Sequence, residues 1–232
     1  MVYFVDLPEA FVDPIKLVIF DCDGVLVDSE ILANREAARV KTELGFPITT
    51  EEHIEKFVGM GKNSLAMQEE LARLPDTYWE LMRMARTKAF EQELQEISGV
   101  REVLANLEGQ YCMASSGAME KIHTSLRVTG LGEFFPEALI FNSEMVPSGK
   151  PAPDLFLLAA ERCQKKPSEC LVIEDSPSGL KAARAAGMRS VAFTGGSHIT
   201  KVLSERLIAE DPDVVCHTME DVRNWLKPYF KK

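Results

Sequence analysis

The chain has 232 residues, of which 46% are hydrophobic, so it is long enough to bury a sizeable core. Its formal net charge of −10 disfavours nucleic acids and anionic membrane surfaces as partners. No apolar stretch approaches the ~20 residues that a membrane span needs. The five cysteines have neither CxxC nor zinc-ligand spacing, so we expect free, buried thiols and a cytoplasmic protein.

The first predicted strand is the apolar run of residues 17–20, which follows an N-terminal extension without clear periodicity. Such a run is typical of a fully buried strand in a parallel sheet. Asp21 and Asp23 follow directly, and Gly24 lets the chain turn. Open α/β sheets place their sites at the carboxyl ends of strands. Two acids there cost stability unless a cation or a reaction needs them, so we expect a functional site.

Residues 30–97 show helical periodicity and hardly any strand pattern. Thr49 and Glu52 predict a capping box at the start of a helix. A short helix is predicted over residues 65–71, and a longer one follows it. A block of helices between the first and second strands of a sheet indicates an inserted domain.

From residue 99 onward, predicted helices and strands alternate. The strands are expected at residues 111–114, 139–142, 170–173, 190–193 and 213–216. This βα alternation predicts an α/β fold with a doubly wound parallel sheet.

Polar residues also follow two later strands. The sequence Ser-Ser-Gly at 115–117 follows the strand at 111–114, and Glu-Asp-Ser at 174–176 follows the strand at 170–173. Between them, Lys150 is flanked by prolines that fix the backbone beside it. Each strand end thus repeats the arrangement at the end of the first strand.

Taken in order, these stretches resemble the four motifs of the haloacid dehalogenase superfamily: a nucleophilic Asp with a second Asp two residues later, a Ser or Thr, a Lys, and an acidic pair. The chain is most similar to the branch of β-phosphoglucomutases and small-molecule phosphatases. The resemblance implies a Rossmann-like core domain of residues 1–29 and 98–232 and an inserted helical cap domain of residues 30–97. It also implies Mg²⁺ as the cofactor.

The resemblance assigns the chemistry to two acids. Asp21 would attack phosphorus and form an aspartyl-phosphate, which divides the hydrolysis into two easier steps. Asp23 would protonate the leaving oxygen and later activate water. Four acids face one divalent cation and Lys150, and nearby like charges raise a pKa. We therefore expect Asp23, which neither attacks nor binds metal through its side chain, to hold a proton before catalysis.

Mg²⁺ would be bound by Asp21, Glu174, Asp175 and the backbone carbonyl of Asp23, because hard oxygen ligands suit it. By resemblance Asp175 binds directly, and Glu174 acts through water. The alternative is ordinary helix-start chemistry, with Ser176 as the N-cap. That alternative explains the serine but not two acids at a strand end.

Phosphate would be bound by Lys150, by the Ser115 hydroxyl and by backbone N–H groups of Ser116 and Gly117 at a helix start. Lys62 falls where relatives place a substrate-specificity loop, so it is a candidate for gripping a distal group of the substrate. An ordinary solvated lysine is an equally weighted alternative. The four histidines have no ligand spacing, and we predict no role for them.

The sequence therefore predicts a Mg²⁺-dependent phosphatase for a small phosphate monoester, with a phosphosugar mutase as the alternative. In mutases that this chain resembles, a histidine about three helical turns after the DxD motif, with a cap lysine, couples cap closure to acid/base positioning. Ala33 occupies that place here, and alanine cannot relay a proton. A phosphate sensor, a third possibility, would not need Asp23. The expected partner is a phosphorylated metabolite, and the expected state is a monomer or weak dimer.

Overall fold

The computed structural model describes residues 14–58, 68–69 and 72–228. Six strands form one parallel sheet with the spatial order β3-β2-β1-β4-β5-β6. These strands are β1 (Leu17–Phe20), β2 (Gln110–Ser115), β3 (Ile140–Asn142), β4 (Cys170–Glu174), β5 (Arg189–Phe193) and β6 (Val214–Cys216). The chain passes outward from β1 in one direction and then, from β4, in the other. This doubly wound arrangement confirms the predicted fold class.

Helices surround the sheet in the described part of the chain. Between β1 and β2 lie α1 (Ser29–Glu43), α2 (Thr50–Phe57) and α3 (Thr77–Glu93), followed by α4 (Val100–Asn106). The later helices are α5 (Met119–Thr129), α6 (Asp154–Arg162), α7 (Pro177–Ala185), α8 (Lys201–Ile208) and α9 (Met219–Leu226). We refer to α1, α2 and α3 as the inserted helices.

The inserted helices pack mainly on one another. Helix α1 contacts both α2 and α3, and α3 also contacts α5. The predicted capping box is confirmed, because Thr49 and the side chain of Glu52 bond each other's backbone N–H groups. The helix predicted over residues 65–71 lies largely outside the described residues. None of the helices in the described ranges is long and apolar enough to cross a bilayer.

Two apolar clusters sandwich the sheet because side chains of a strand alternate between its faces. Val18 and Phe20 belong to one cluster, together with residues of α4, α5 and α9. Leu17 and Ile19 belong to the other, together with residues of α6 and α7. Helices on both faces leave β1 no exposed side, which explains its continuous apolar sequence.

The register of the central strands determines which residues meet at the carboxyl edge. Phe20 pairs with Met113 of β2 and with Ile173 of β4. The N–H of Asp21 then donates to the carbonyl of Ile173 at 3.0 Å. Residues that follow these strands therefore emerge side by side, at the point where the strand order reverses and ligands bind in open α/β sheets.

Candidate active site

Four side chains at this edge form the strand-end cluster: Asp21, Lys150, Glu174 and Asp175. The Nζ of Lys150 lies 2.5 Å from Oδ1 of Asp21 and 2.6 Å from Oε1 of Glu174. It also donates to the carbonyl of Ala114 at 2.9 Å. The side chains of Lys150, Asp21 and Glu174 are only 3%, 8% and 1% exposed. Three of the predicted residues are thus brought together in a desolvated ion-pair network.

Burial and mutual repulsion dominate the protonation of the cluster. Burial raises the pKa of Asp21 well above its ordinary range, against the opposing effect of Lys150. Burial also raises the pKa of Asp175 to about 6, and contact with His198 limits this rise. Burial alone would lower the pKa of Lys150, but Asp21 and Glu174 raise it above its usual value. Lys150 is therefore a permanent positive charge beside the nucleophile candidate.

The carboxylates of the cluster have the donor chemistry of a hard divalent cation site. Asp21, Glu174 and Asp175 each offer an oxygen atom, and these atoms lie within 4.8 Å of one another. Both oxygens of Glu174 already accept hydrogen bonds, Oε1 from Lys150 and Oε2 from the backbone and hydroxyl of Ser176. This residue set fits Mg²⁺, which prefers carboxylate oxygens and retains several waters.

Two glycines make room for the acids. A Cβ atom on Gly24 would lie 1.7 Å from Oδ2 of Asp175, and one on Gly179 would lie 1.9 Å from Oε1 of Glu174. Gly24 also has a φ of +76°, which other residues rarely adopt. The turn after Asp23 and the start of α7 therefore accept no larger side chain without moving the carboxylates.

A second set of residues, the acid/base group, consists of Asp23, Ser29 and Lys121. The hydroxyl of Ser29 donates to Oδ1 of Asp23 at 2.5 Å. The Nζ of Lys121 lies 2.8 Å from the same oxygen, and the two side chains are 16% and 14% exposed. This group borders the inserted helices, since Ser29 is the first residue of α1.

The side chains of this arrangement do not by themselves place the expected proton on Asp23, which was predicted for the site with a divalent cation bound. Burial alone would raise the pKa of Asp23, but Lys121 and the Ser29 hydroxyl outweigh it and lower the pKa below its ordinary value. The charge count from the sequence omitted Lys121, so it lacked one positive charge. Among these acids, Asp21 rather than Asp23 has the strongly raised pKa.

The predicted phosphate-binding serine lies at the same edge. Ser115 is fully buried, and its Oγ lies 3.5 Å from Oδ2 of Asp23. The N–H of Gly117 donates to that Oγ at 3.0 Å, so this N–H is already bonded and is not available to a phosphate. The carbonyl of Ser116 accepts a hydrogen bond from Ser143, which fixes the loop before α5.

His198 contacts the site although the sequence predicted no role for it. Its ring is fully buried, and Nε2 lies 3.1 Å from Oδ2 of Asp175. The neighbouring Ser197 bonds both oxygens of Asp28, which ties this loop to the segment before α1. Its place in the chain could have indicated this contact, because His198 lies in the loop after β5, at the same edge of the sheet as the acids.

The other predictions for side chains have simpler outcomes. His53, His123 and His217 pair with Asn34, Glu137 and Thr194, outside the strand-end cluster and the acid/base group. Lys62 lies outside the described residues, so its role stays a prediction. The backbone carbonyl of Asp23 as a metal ligand also stays a prediction.

The sequence of this chain is similar to those of known hydrolases. The profile of haloacid dehalogenase-like hydrolases matches residues 15–187. A 6-phosphogluconate phosphatase of Escherichia coli is 29% identical over 79% of this chain and 85% of its own. A phosphorylated carbohydrates phosphatase of Thermotoga maritima is 31% identical over 76% of this chain and 83% of its own.

A solved structure supports the same relationship. A haloacid dehalogenase-like protein of unknown function from Agrobacterium tumefaciens is 33% identical and superposes with a TM-score of 0.84. The match covers 94% of this chain and 100% of that one.

Proposed function

This chain belongs to the haloacid dehalogenase-like hydrolase family, and from that premise we propose that it is a Mg²⁺-dependent phosphatase. It hydrolyses a small phosphate monoester, such as a sugar phosphate, through an aspartyl-phosphate intermediate. The observation that carries this proposal is the ion pair of Lys150 with both Asp21 and Glu174 in a buried site. A buried cation between two acids stabilises a carboxylate nucleophile and the phosphate that it attacks.

Lys150 and the bound cation would keep Asp21 ionised against the rise in its pKa that burial causes. In the first step, an oxygen of Asp21 then attacks phosphorus and the bond to the leaving alcohol breaks. Oδ1 of Asp21 is bonded to Lys150, which leaves Oδ2 as the candidate attacking atom. The negative charge of the bound phosphate raises the pKa of Asp23, so this carboxyl takes up a proton with the substrate and donates it to the leaving oxygen. Ser115 donates a hydrogen bond to the phosphoryl group. Most of the rate enhancement comes from position and electrostatics, because the transferred group itself needs little covalent assistance.

In the second step, Asp23 takes a proton from water as the water oxygen bonds to phosphorus. The bond between phosphorus and Asp21 then breaks, which restores the carboxylate and releases inorganic phosphate. Asp21, Glu174, Asp175 and the carbonyl of Asp23 would bind Mg²⁺. When bound, the cation offsets negative charge on the phosphoryl oxygens.

The names of the relatives support the substrate class. The two phosphatases compared above are named for 6-phosphogluconate and for phosphorylated carbohydrates. We propose the same broad class, phosphorylated small metabolites, for this enzyme. We further propose that it acts in the cytoplasm as a monomer or weak dimer.

The inserted helices support a two-domain organisation. We propose that residues 30–97 form a cap over a core of residues 1–29 and 98–232. Within the described residues, helices α1, α2 and α3 pack mainly on one another, and they meet the core through α5 and, by way of Ile54 on α2, through α7 and α8. Closure of such a cap excludes bulk water from the site, and Lys62 would then be placed to contact the alcohol part of the substrate.

A mutase is less well supported. Ala33 packs, partly buried, against the core cluster and offers no group to Asp23. A mutase must protect its aspartyl-phosphate from water until the next sugar arrives. We expect water to react first, so hexose phosphates should release inorganic phosphate without interconversion of the 1- and 6-phosphates.

The test is a screen of the purified enzyme against a panel of phosphorylated metabolites, with Mg²⁺ and with EDTA. Inorganic phosphate should be released from at least one sugar or polyol phosphate only when Mg²⁺ is present. The same reactions, followed by NMR with a bisphosphate activator added, test for isomerisation. Steady isomerisation with little free phosphate would overturn the choice of phosphatase, and full activity in EDTA would overturn the metal requirement.

A further inference from the structure

The two carboxylate oxygens of Asp23 have different surroundings. Oδ1 accepts the hydrogen bond of Ser29 at 2.5 Å and pairs with Lys121 at 2.8 Å. Oδ2 lies 3.5 Å from Oγ of Ser115, on the side where we place the phosphoryl group. A Cβ atom on Gly117 would lie 3.5 Å from Oδ2 as well. One oxygen is therefore anchored, and the other faces the reacting groups.

One of the two anchors, Lys121, comes from the core. Lys121 lies in the first turn of α5, the helix that follows Ser115. Its ammonium is mostly buried and lies 5.6 Å from the ring centre of Phe90 on α3. An ion pair screened from solvent is stronger than a surface pair and restricts the carboxylate to one rotamer. Lys121 belongs to a core helix, whereas Ser29 is the first residue of α1, so only the Lys121 part of this restraint is independent of the inserted helices.

We propose that Lys121 is a positioning residue that fixes the general acid/base Asp23. Lys121 and Ser29 bind Oδ1, so that Oδ2 transfers the proton. The proton passes from Oδ2 to the leaving oxygen as the bond from phosphorus to that oxygen breaks. In the second step Oδ2 takes a proton from the attacking water. This assignment rests on the proposed phosphatase function.

The position of Lys121 also bears on the fate of the intermediate. Ala33 leaves Asp23 without a histidine partner on α1, and Lys121 provides a cationic partner from α5. The Lys121 restraint on Asp23 then persists whether or not the inserted helices close over the site. Water can be activated as soon as it enters, which favours hydrolysis over return of the phosphoryl group to a sugar.

The test compares Lys121→Met with Lys121→Arg on two substrates. The first is the best sugar phosphate from the panel, whose alkoxide leaving group needs a proton. The second is p-nitrophenyl phosphate, whose leaving group needs none. Single-turnover measurements report the first chemical step for each substrate. Arg127→Met, on the exposed face of the same helix, is the matched control for the loss of one positive charge.

We expect Lys121→Met to slow the first step with the sugar phosphate by roughly 10- to 100-fold, because a misplaced Asp23 loses part of the roughly 10²- to 10⁴-fold contribution of a general acid. The first step with p-nitrophenyl phosphate should fall less than about threefold, and KM for the sugar phosphate should stay nearly constant. Lys121→Arg should recover most of the rate because it keeps the cation. Arg127→Met should behave like the wild type.

Equal losses with both substrates would overturn the proposal, because Lys121 would then act on phosphate or on the nucleophile. An unchanged rate in Lys121→Met would overturn it as well. If circular dichroism shows that Lys121→Met does not fold, Lys121→Arg is compared with the wild type instead. A folded Lys121→Arg that loses the same fraction of its first-step rate with both substrates contradicts the proposal. Failure of the wild type to release phosphate from any substrate would instead overturn the phosphatase function itself.

Discussion

The strand-end cluster and the acid/base group are neighbours, but they are built differently. Asp21, Glu174 and Lys150 are almost completely buried, and Lys150 bonds both acids. Asp23 and Lys121 are each about one-seventh exposed and lie beside the inserted helices. The first region is fixed by strand ends, whereas the second combines a loop, the start of α1 and the first turn of α5.

This difference suggests a division of labour. In the proposed mechanism, the strand-end cluster would perform the part of the reaction that every phosphate monoester shares, which is attack on phosphorus and stabilisation of its charge. The acid/base group would protonate the leaving alcohol, which differs between substrates. Changes in the first region should therefore affect all substrates, and changes in the second should depend on the leaving group.

The largest effect should follow from Asp21→Asn in the strand-end cluster. The amide cannot attack phosphorus, so turnover should fall by about 10⁴-fold or more with every substrate. Its shape matches that of aspartate, so we expect the melting temperature to change little. Phosphate release from a sugar phosphate and from p-nitrophenyl phosphate measures the effect. A loss confined to the sugar phosphate would break the proposed division.

A smaller effect is expected on Mg²⁺ affinity, which should depend more on Asp175 than on Glu174. Both oxygens of Glu174 already accept hydrogen bonds from protein donors, whereas among described residues the carboxylate of Asp175 pairs only with His198, through Oδ2. Asp175→Asn should therefore weaken Mg²⁺ binding more, by roughly 10- to 100-fold, than the matched change Glu174→Gln. Calorimetric titration with Mg²⁺ measures both. Equal losses would indicate that Glu174 binds the cation directly.

The tight packing of the strand-end cluster can be tested with a methyl group. In Gly179→Ala the added Cβ would lie 1.9 Å from the Glu174 carboxylate, so the free energy of unfolding should fall by about 1–3 kcal/mol. Phosphatase activity should fall too, because Glu174 bonds Lys150. Gly132→Ala is the control, since its Cβ would make only ordinary contacts of 3.9 Å and more. Urea unfolding curves that are identical for the two variants would show that the cluster is loosely packed.

The smallest expected effect concerns Cys22, which lies between Asp21 and Asp23, and it is a slow reaction of this thiol compared with that of Cys163. Burial raises the pKa of its thiol well above the usual value, and Asp23 and Asp21 add to that rise. Thiolate is the reactive form, so Cys22 should resist a disulfide reagent at pH 8 while the protein is folded. Cys163, whose pKa is lowered by a hydrogen bond with Cys112, should react before it. Peptide mass spectrometry gives the order, and early labelling of Cys22 would mean that solvent enters the region.

The fold could be predicted largely because it follows from local patterns. The buried apolar strands, the βα alternation and the capping box at Thr49 each leave a signal within a few residues. The strand-end acids could be predicted for the same reason, since each follows directly on a strand. The register of β1 with β2 and β4 then brings them together.

Only part of the acid/base group could be predicted from the sequence. Asp23 belongs to a recognisable motif, but Lys121 is 98 positions away and lies in an ordinary amphipathic helix. Its contact with Asp23 depends on how α5 lies against the first loop, which no local pattern records. The charge count around Asp23 was incomplete because of that omission. The contact of His198 with Asp175 was missed for the same physical reason.

The central claim is that Asp21 becomes phosphorylated, and trapping the intermediate tests it most directly. The enzyme is mixed with its best substrate and Mg²⁺, acid-quenched within the first turnover and reduced with borohydride, which converts an acyl phosphate to an alcohol. Peptide mass spectrometry should find homoserine in place of the aspartate at position 21, and none in Asp21→Asn or in enzyme without substrate. Rapid phosphate release with the label absent from position 21, or present at another acid, would contradict the account.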